Sequence, residues 1–107
     1  MSFQNPIPLR LKEARKKAKL SQKALGVRIG MDESSASPRM NQYEKGKHTP
    51  DVRTLKLIAD ELDVPLSYFF SEDEITANLV SLINRLDKKQ KQELAFYIQH
   101  TFKTDLS

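Results

Sequence analysis

Between Ser37 and His48 the chain groups side chains that can recognise the edge of a nucleobase or a phosphate. Arg39 carries a planar fork of N–H donors that fits O6 and N7 of guanine, and Gln42 carries the donor–acceptor pair that fits N6 and N7 of adenine. Each such bidentate pair is worth roughly 1–3 kcal/mol of discrimination against the wrong base. The Ser37 hydroxyl is the third candidate for a base contact, with a helix cap as its competing role. Arg39 has a competing role too, in a salt bridge or on a phosphate. Asn41 leans toward phosphate, together with Lys47 and His48. Upstream, Ser21 and Gln22 open a helix whose free N–H groups and positive dipole end favour a phosphate, and Lys23 adds a cation beside them. The plain alternative for Gln22 is an ordinary first-turn residue.

Other chemistries lack the residues they need. There is no cysteine, which excludes disulfides and thiolate metal sites. His48 and His100 share no motif with a carboxylate or a third donor, and a metal requires more ligands than two isolated imidazoles. No Ser–His–acid grouping can be argued, since sequence order alone does not make a triad, and there is no P-loop and no GxGxxG. No catalytic residue, metal or cofactor is therefore expected, and no small-molecule site can be read.

The segments that must hold these side chains are short helices punctuated by glycine and proline. All three glycines fall between Ser21 and Pro50. A first helix is predicted from near Pro8, with Leu11, Ala14 and Ala18 on one face, Ile7 joining from the preceding arm, and Arg10, Lys12, Lys16, Lys17 and Lys19 on the other sides. Ser21 caps a second helix that ends at Ile29, with Gly30 just beyond. Leu25 and Ile29 point inward, and the absence of a side chain at Gly26 lets a neighbouring helix cross closely. For the third helix, Pro38 has no N–H and disfavours helical geometry at Ser37. Ser37 as N-cap and Pro38 at the first position satisfy both constraints, and the helix then runs to about Lys45 and stops at Gly46. Met40 and Tyr43 bury; Arg39, Asn41 and Gln42 face out. Two brief helices in a row, the second bearing amides, form a helix-turn-helix.

After Thr49-Pro50-Asp51, a cap, a proline and an acid, a fourth helix buries Leu55, Ile58, Ala59 and Leu62. A short fifth follows Pro65, anchored by Leu66, Phe69 and Phe70. Beyond residue 70, one stripe of Ile75, Leu79, Leu82, Ile83 and Leu86 and a second of Leu94, Tyr97, Ile98 and Thr101 mark two more helices. Asp87 with Gln90 forms a capping box for the second of them. No strand-period alternation is convincing, so the fold class is all-α. The organisation is an arm over residues 1–8, a five-helix unit over 9–70 and a two-helix extension over 71–107.

Charge separates the front of the chain from its end. Met1 to Met31 hold eight Lys or Arg against one acid, Glu13, whereas from Ser71 onward five basic residues face six acids. The basic excess points to a polyanion at the front, against the blander reading of a solvated face. No apolar run approaches the roughly 20 residues of a membrane span. MSFQNPIPLR lacks the charged start and apolar core of a signal peptide. A cytoplasmic location with no membrane partner is expected.

From Leu9 to Phe70 the sequence resembles the Cro/C1-type helix-turn-helix family, also called the XRE family of transcriptional regulators. The resemblance rests on Leu11 and Ala14, then Leu20-Ser21-Gln22 leading to Leu25 and Ile29-Gly30. It continues with Tyr43-Glu44-Lys45-Gly46 and Pro50, then Leu55, Ile58-Ala59 and Leu62, and closes on Val64 and Phe69-Phe70. One departure stands out: Gly30 and Glu44 are separated by four more positions than the family pattern has. The extra residues fall within Met31–Arg39 and either lengthen the turn or add to the front of the third helix. Pro38 favours the turn.

The resemblance implies a lambda-repressor-like domain that sets its third helix into the major groove of double-stranded DNA, with the start of helix 2 on phosphate. It also implies a pair between Arg15 and Glu44, in which the arginine neutralises a carboxylate that would otherwise repel DNA. The five-helix unit closes its own core in the family, so the extension is left to make a homodimer on an inverted repeat. The expected role is a sequence-specific transcriptional regulator acting as a repressor by occlusion. The alternative is a protein-binding adaptor or antitoxin-type partner built on the same fold.

Overall fold

In the computed structural model, residues 3–106 are described, and the chain order is six α-helices with one 3₁₀ turn and no strand among those residues. Met1 and Ser2 of the expected arm, and Ser107, lie outside the described residues. Helix α1 spans Ile7–Lys17, with Pro6 as its N-cap residue and the Asn5 side chain accepting the Ile7 N–H. Ile7 and Pro8 already lie within it. Ile7, Leu11 and Ala14 face the core, while Ala18, placed inward by its spacing, is the exposed C-cap.

Helix α2 (Gln22–Arg28) is capped by Ser21, whose Oγ accepts the Ala24 N–H at 2.9 Å, and it ends where Gly30 takes φ +100°. Gly26 makes the crossing with the next helix possible. A Cβ built there would lie 2.7 Å from Ala36 Cβ, closer than real Cβ atoms approach, and a tight 3.1 Å from the Met31 sulfur.

Helix α3 corrects the sequence reading. It spans Glu33–Glu44 with Asp32 as its N-cap residue, so Ser37 caps nothing and Pro38 sits in the helix interior. The extra residues lengthen the helix, not the turn. An interior proline removes one backbone bond and crowds the carbonyl four residues back, at a cost of about 3 kcal/mol. Packing outweighs that local preference. Running the helix back to Glu33 buries Ala36 completely against Gly26 and keeps Ala36, Met40 and Tyr43 on one inward stripe. Pro38 is exposed on the side away from that stripe, where the carbonyl it deprives of a donor can take water.

Helix α4 (Val52–Leu62) buries Leu55, Ile58, Ala59 and Leu62, as their spacing implies. Its cap is Asp51, which accepts the Thr54 N–H at 2.8 Å, two residues later than a cap at Thr49 would place it. The 3₁₀ turn Leu66–Phe70 follows Pro65. Here Tyr68 and Phe69 are buried with their rings edge to face, and Phe70 is 52% exposed. The tighter 3₁₀ winding, together with a hydrogen bond from the Tyr68 hydroxyl to Glu13, makes Tyr68 the anchor expected of Phe70.

Helix α5 (Glu74–Ile83) docks on this body through Ala77, fully buried, and the half-buried Val80. The stripe on its other side (Ile75, Leu79, Leu82) is exposed. Helix α6 (Lys88–Thr101) begins with the capping box of Asp87 and Gln90, and no residue in it is buried. The radius of gyration is 15.9 Å, against roughly 13 Å for a compact chain of this length. The excess fits a terminal helix that stands off the body.

Replacing Gly26 by Ala is expected to destabilise the protein by about 1–3 kcal/mol, the usual penalty for overpacking a tight contact. Urea denaturation of Gly26→Ala in the native and Ala36→Gly backgrounds checks this: the penalty shrinks in the second background if the contact with Ala36 is its source.

Candidate nucleic-acid interface

The base of the site is a buried ion pair. Arg15 on α1 meets Glu44 at the end of α3 in a two-pronged contact, Nε to Oε2 at 2.6 Å and Nη2 to Oε1 at 3.0 Å. The Glu44 side chain is 3% exposed and that of Arg15 11%. A third donor of the guanidinium, Nη1, binds the Leu20 carbonyl at 2.8 Å, so Arg15 also fixes the turn that leads into α2. Planar fork-to-carboxylate pairing of this kind adds directional constraint to its charge attraction. Gln22 at the start of α2 completes the clamp: its amide nitrogen donates to Glu44 Oε1 and to Asn41 Oδ1, both at 3.2 Å. The front of α2 and the end of α3 are thereby tied through one carboxylate.

The clamp leaves one face of α3 outward. Pro38, Asn41 and Gln42 are exposed opposite the buried Ala36, Met40 and Tyr43, and Arg39 is exposed on the flank of the helix. The Arg39 and Gln42 side chains hydrogen-bond to nothing among the described residues. Ser37 is half-buried on the flank of the helix. Ser21 is exposed, with its hydroxyl oxygen accepting a cap bond. Lys23 forms an exposed ion pair with Glu33 at 3.0 Å, which holds the Glu33 carboxyl below its ordinary range. Lys47 and His48 are exposed in the turn after α3, where both their backbone N–H groups reach the Gln42 carbonyl. The structure thus gathers Ser21, Gln22, Lys23, Asn41, Gln42, Lys47 and His48 around the α2–α3 unit. It gives Gln22 and Lys23 protein partners of their own.

A second polar cluster lies beneath the opposite end of α1. Arg10, assigned by spacing to the solvent face, is 3% exposed. Its Nη1 binds Glu13 at 2.8 Å and its Nε binds the Ser71 carbonyl at 2.9 Å. The same Glu13 oxygen accepts the Tyr68 hydroxyl at 2.6 Å. Burial works to raise the Glu13 pKa, but the bonds from Tyr68 and Arg10 outweigh it and hold the carboxyl below the ordinary range. Burial and the nearby carboxylate push the Tyr68 hydroxyl well up. The i, i+3 spacing of Arg10 and Glu13 was the only local signal of this cluster; its third and fourth members come from more than 50 residues away.

An open hollow of about 430 Å³ between α1 and α5 is lined by Ala14, Lys17, Leu62, Tyr68, Asn78 and Arg85, among others. No cluster of metal-ligating side chains occurs among the described residues, and no helix there is long and apolar enough to cross a membrane.

Residues 11–69 match the family described as Helix-turn-helix, and the chain belongs to that Cro/C1-type family of transcriptional regulators. Among curated proteins it is similar to the HTH-type transcriptional regulator ImmR of Bacillus subtilis (strain 168), with 31% identity over 86 residues, 79% of this chain. The chain spans 65% of the length of that relative. Among solved structures it is similar to the transcriptional regulator BswR, with a TM-score of 0.80, 42% identity, and coverage of 88% of this chain and 93% of that one. The SinR protein/SinI protein complex shares the fold, with a TM-score of 0.63, 24% identity, and coverage of 92% and 99%.

Arg15→Ala leaves the Glu44 carboxylate buried without its main partner. The expected loss of folding stability is about 3–5 kcal/mol, as for other broken buried pairs. Denaturation of Arg15→Ala beside the double variant Arg15→Met/Glu44→Met checks the cause, since the double variant is expected to recover much of the loss.

Proposed function

We propose that this chain is a sequence-specific DNA-binding transcriptional regulator of the cytoplasm that inserts α3 into the major groove of an operator. The observation that carries this reading is the outward face of α3. The exposed Arg39 guanidinium and Gln42 amide make no hydrogen bond among the described residues, while the helix that carries them is held by a buried ion pair and by Gln22. Free donors on a rigid element are what base reading requires. In this reading Arg39 and Gln42 contact bases, with Ser37 at their flank. Ser21, Gln22, Lys23, Asn41, Lys47 and His48 line the phosphate track, where Lys23 exchanges Glu33 for the DNA backbone.

The test is selection of bound duplexes from a random pool. The expected result is an enriched site whose affinity falls with salt by about 0.9 log units per log unit for each phosphate neutralised. Arg39→Ala and Gln42→Ala are each expected to relax preference at one position by roughly 1–3 kcal/mol. Lys47→Ala is expected to weaken all sequences alike. A pool without enrichment overturns the reading.

The second part of the proposal is a homodimer through α5 and α6 that represses by occluding an inverted repeat. Its support is the apolar surface left uncovered on these two helices: Ile75, Leu79, Leu82, Phe96, Tyr97 and Phe102 are each more than half exposed. Large apolar residues left exposed in such number on two helices favour an association site. Two copies would set their reading helices about 34–36 Å apart, one turn of B-DNA. The same surface suits the alternative reading, an adaptor or antitoxin-type partner that holds a different protein. Light scattering separates the two. The expected result is a dimer for the native chain and a monomer for Leu79→Glu/Leu82→Glu, with operator affinity reduced at least tenfold in that variant.

A further inference from the structure

The exposed proline inside α3 has no structural justification. It costs the helix about 3 kcal/mol relative to alanine, it is exposed, and α3 buries its inward stripe without it. Helical spacing puts Pro38 at the centre of the outward face, directly opposite Ala36 and Met40, with Ser34, Asn41, Gln42 and Lys45 around it. Every other member of that face ends in a hydroxyl, amide or ammonium group. The pyrrolidine ring is its single apolar element.

The floor of the major groove also presents a single apolar element, the C5 methyl group of thymine. We infer that Pro38 is a specificity-determining residue that packs its ring on a thymine methyl in each half-site. This inference rests on the DNA-binding reading above. Pro38 and Gln42 are one turn apart, about 6 Å along the helix. That distance corresponds to about two base steps, so the thymine lies within two steps of the adenine read by Gln42. A proline ring suits this contact because it is rigid: no side-chain rotamer freedom is lost when it docks.

The experiment uses the enriched duplex from the random pool, with each thymine replaced in turn by deoxyuridine, which keeps the Watson–Crick edge and lacks only the methyl. The full-length native protein is expected to bind about fourfold more weakly at one thymine per half-site, the worth of one buried methyl group. Pro38→Ser is expected to fold at least as stably, to bind the thymine duplex more weakly, and to bind the thymine and deoxyuridine duplexes equally. Pro38→Ala, which retains a small apolar contact, is expected to fall between the two. Indifference of the native protein to every methyl in an enriched site overturns this inference and leaves the DNA-binding reading standing. So does an unchanged thymine-to-deoxyuridine ratio in Pro38→Ser. A pool with no enriched site instead removes the DNA-binding reading, and this inference with it.

Discussion

The contact between Gly26 and Ala36 fixes where α3 can lie. With no Cβ on α2 at that point, α3 comes close enough to bury Ala36 completely. Once Ala36 is inside, the helical period places Met40 and Tyr43 inside as well and turns positions 38, 41, 42 and 45 outward. The pattern of chemical groups on the outward face of α3 is thus set by a missing methyl group on a different helix. The same contact accounts for a helix that contains proline. The ring occupies the side farthest from α2, so the local cost is met by packing on the opposite face.

Local chemistry made much of this fold legible. Ser21, Gly30 and Gly46 bound their helices as capping and left-handed geometry require, and Asp87 with Gln90 forms both bonds of its box. The apolar stripe of α4 could be read residue by residue. What escaped were outcomes decided by distant contacts. Pro38 argued locally for a helix start, and only the fit of Ala36 to Gly26 overrules it. Arg10 has the spacing of a surface residue, yet it is buried because a carbonyl 61 positions later and a carboxylate one turn on satisfy its donors. Phe70 is the more apolar anchor than Tyr68, but Tyr68 alone carries a hydroxyl that can reach Glu13. In the site itself the residue types around the α2–α3 unit were legible. That Gln22 spends its amide on Glu44 and Asn41 was not.

Helix α1 joins these parts. At one end Arg15 holds Glu44 of α3; about one and a half turns earlier Arg10 holds the carbonyl of Ser71, two residues before the cap of α5. The angle between α3 and α5 is therefore referred to a single helix through two buried guanidinium groups, each bonded to more than one partner. Arginine suits both positions because its donors lie in one plane and it stays charged when buried. If α5 and α6 carry a second copy, as proposed, the separation and tilt of the two α3 helices follow from this frame rather than from a flexible linker. Helix α6 adds no buried residue to the frame, so its apolar residues are available to association without loosening the core that orients α3.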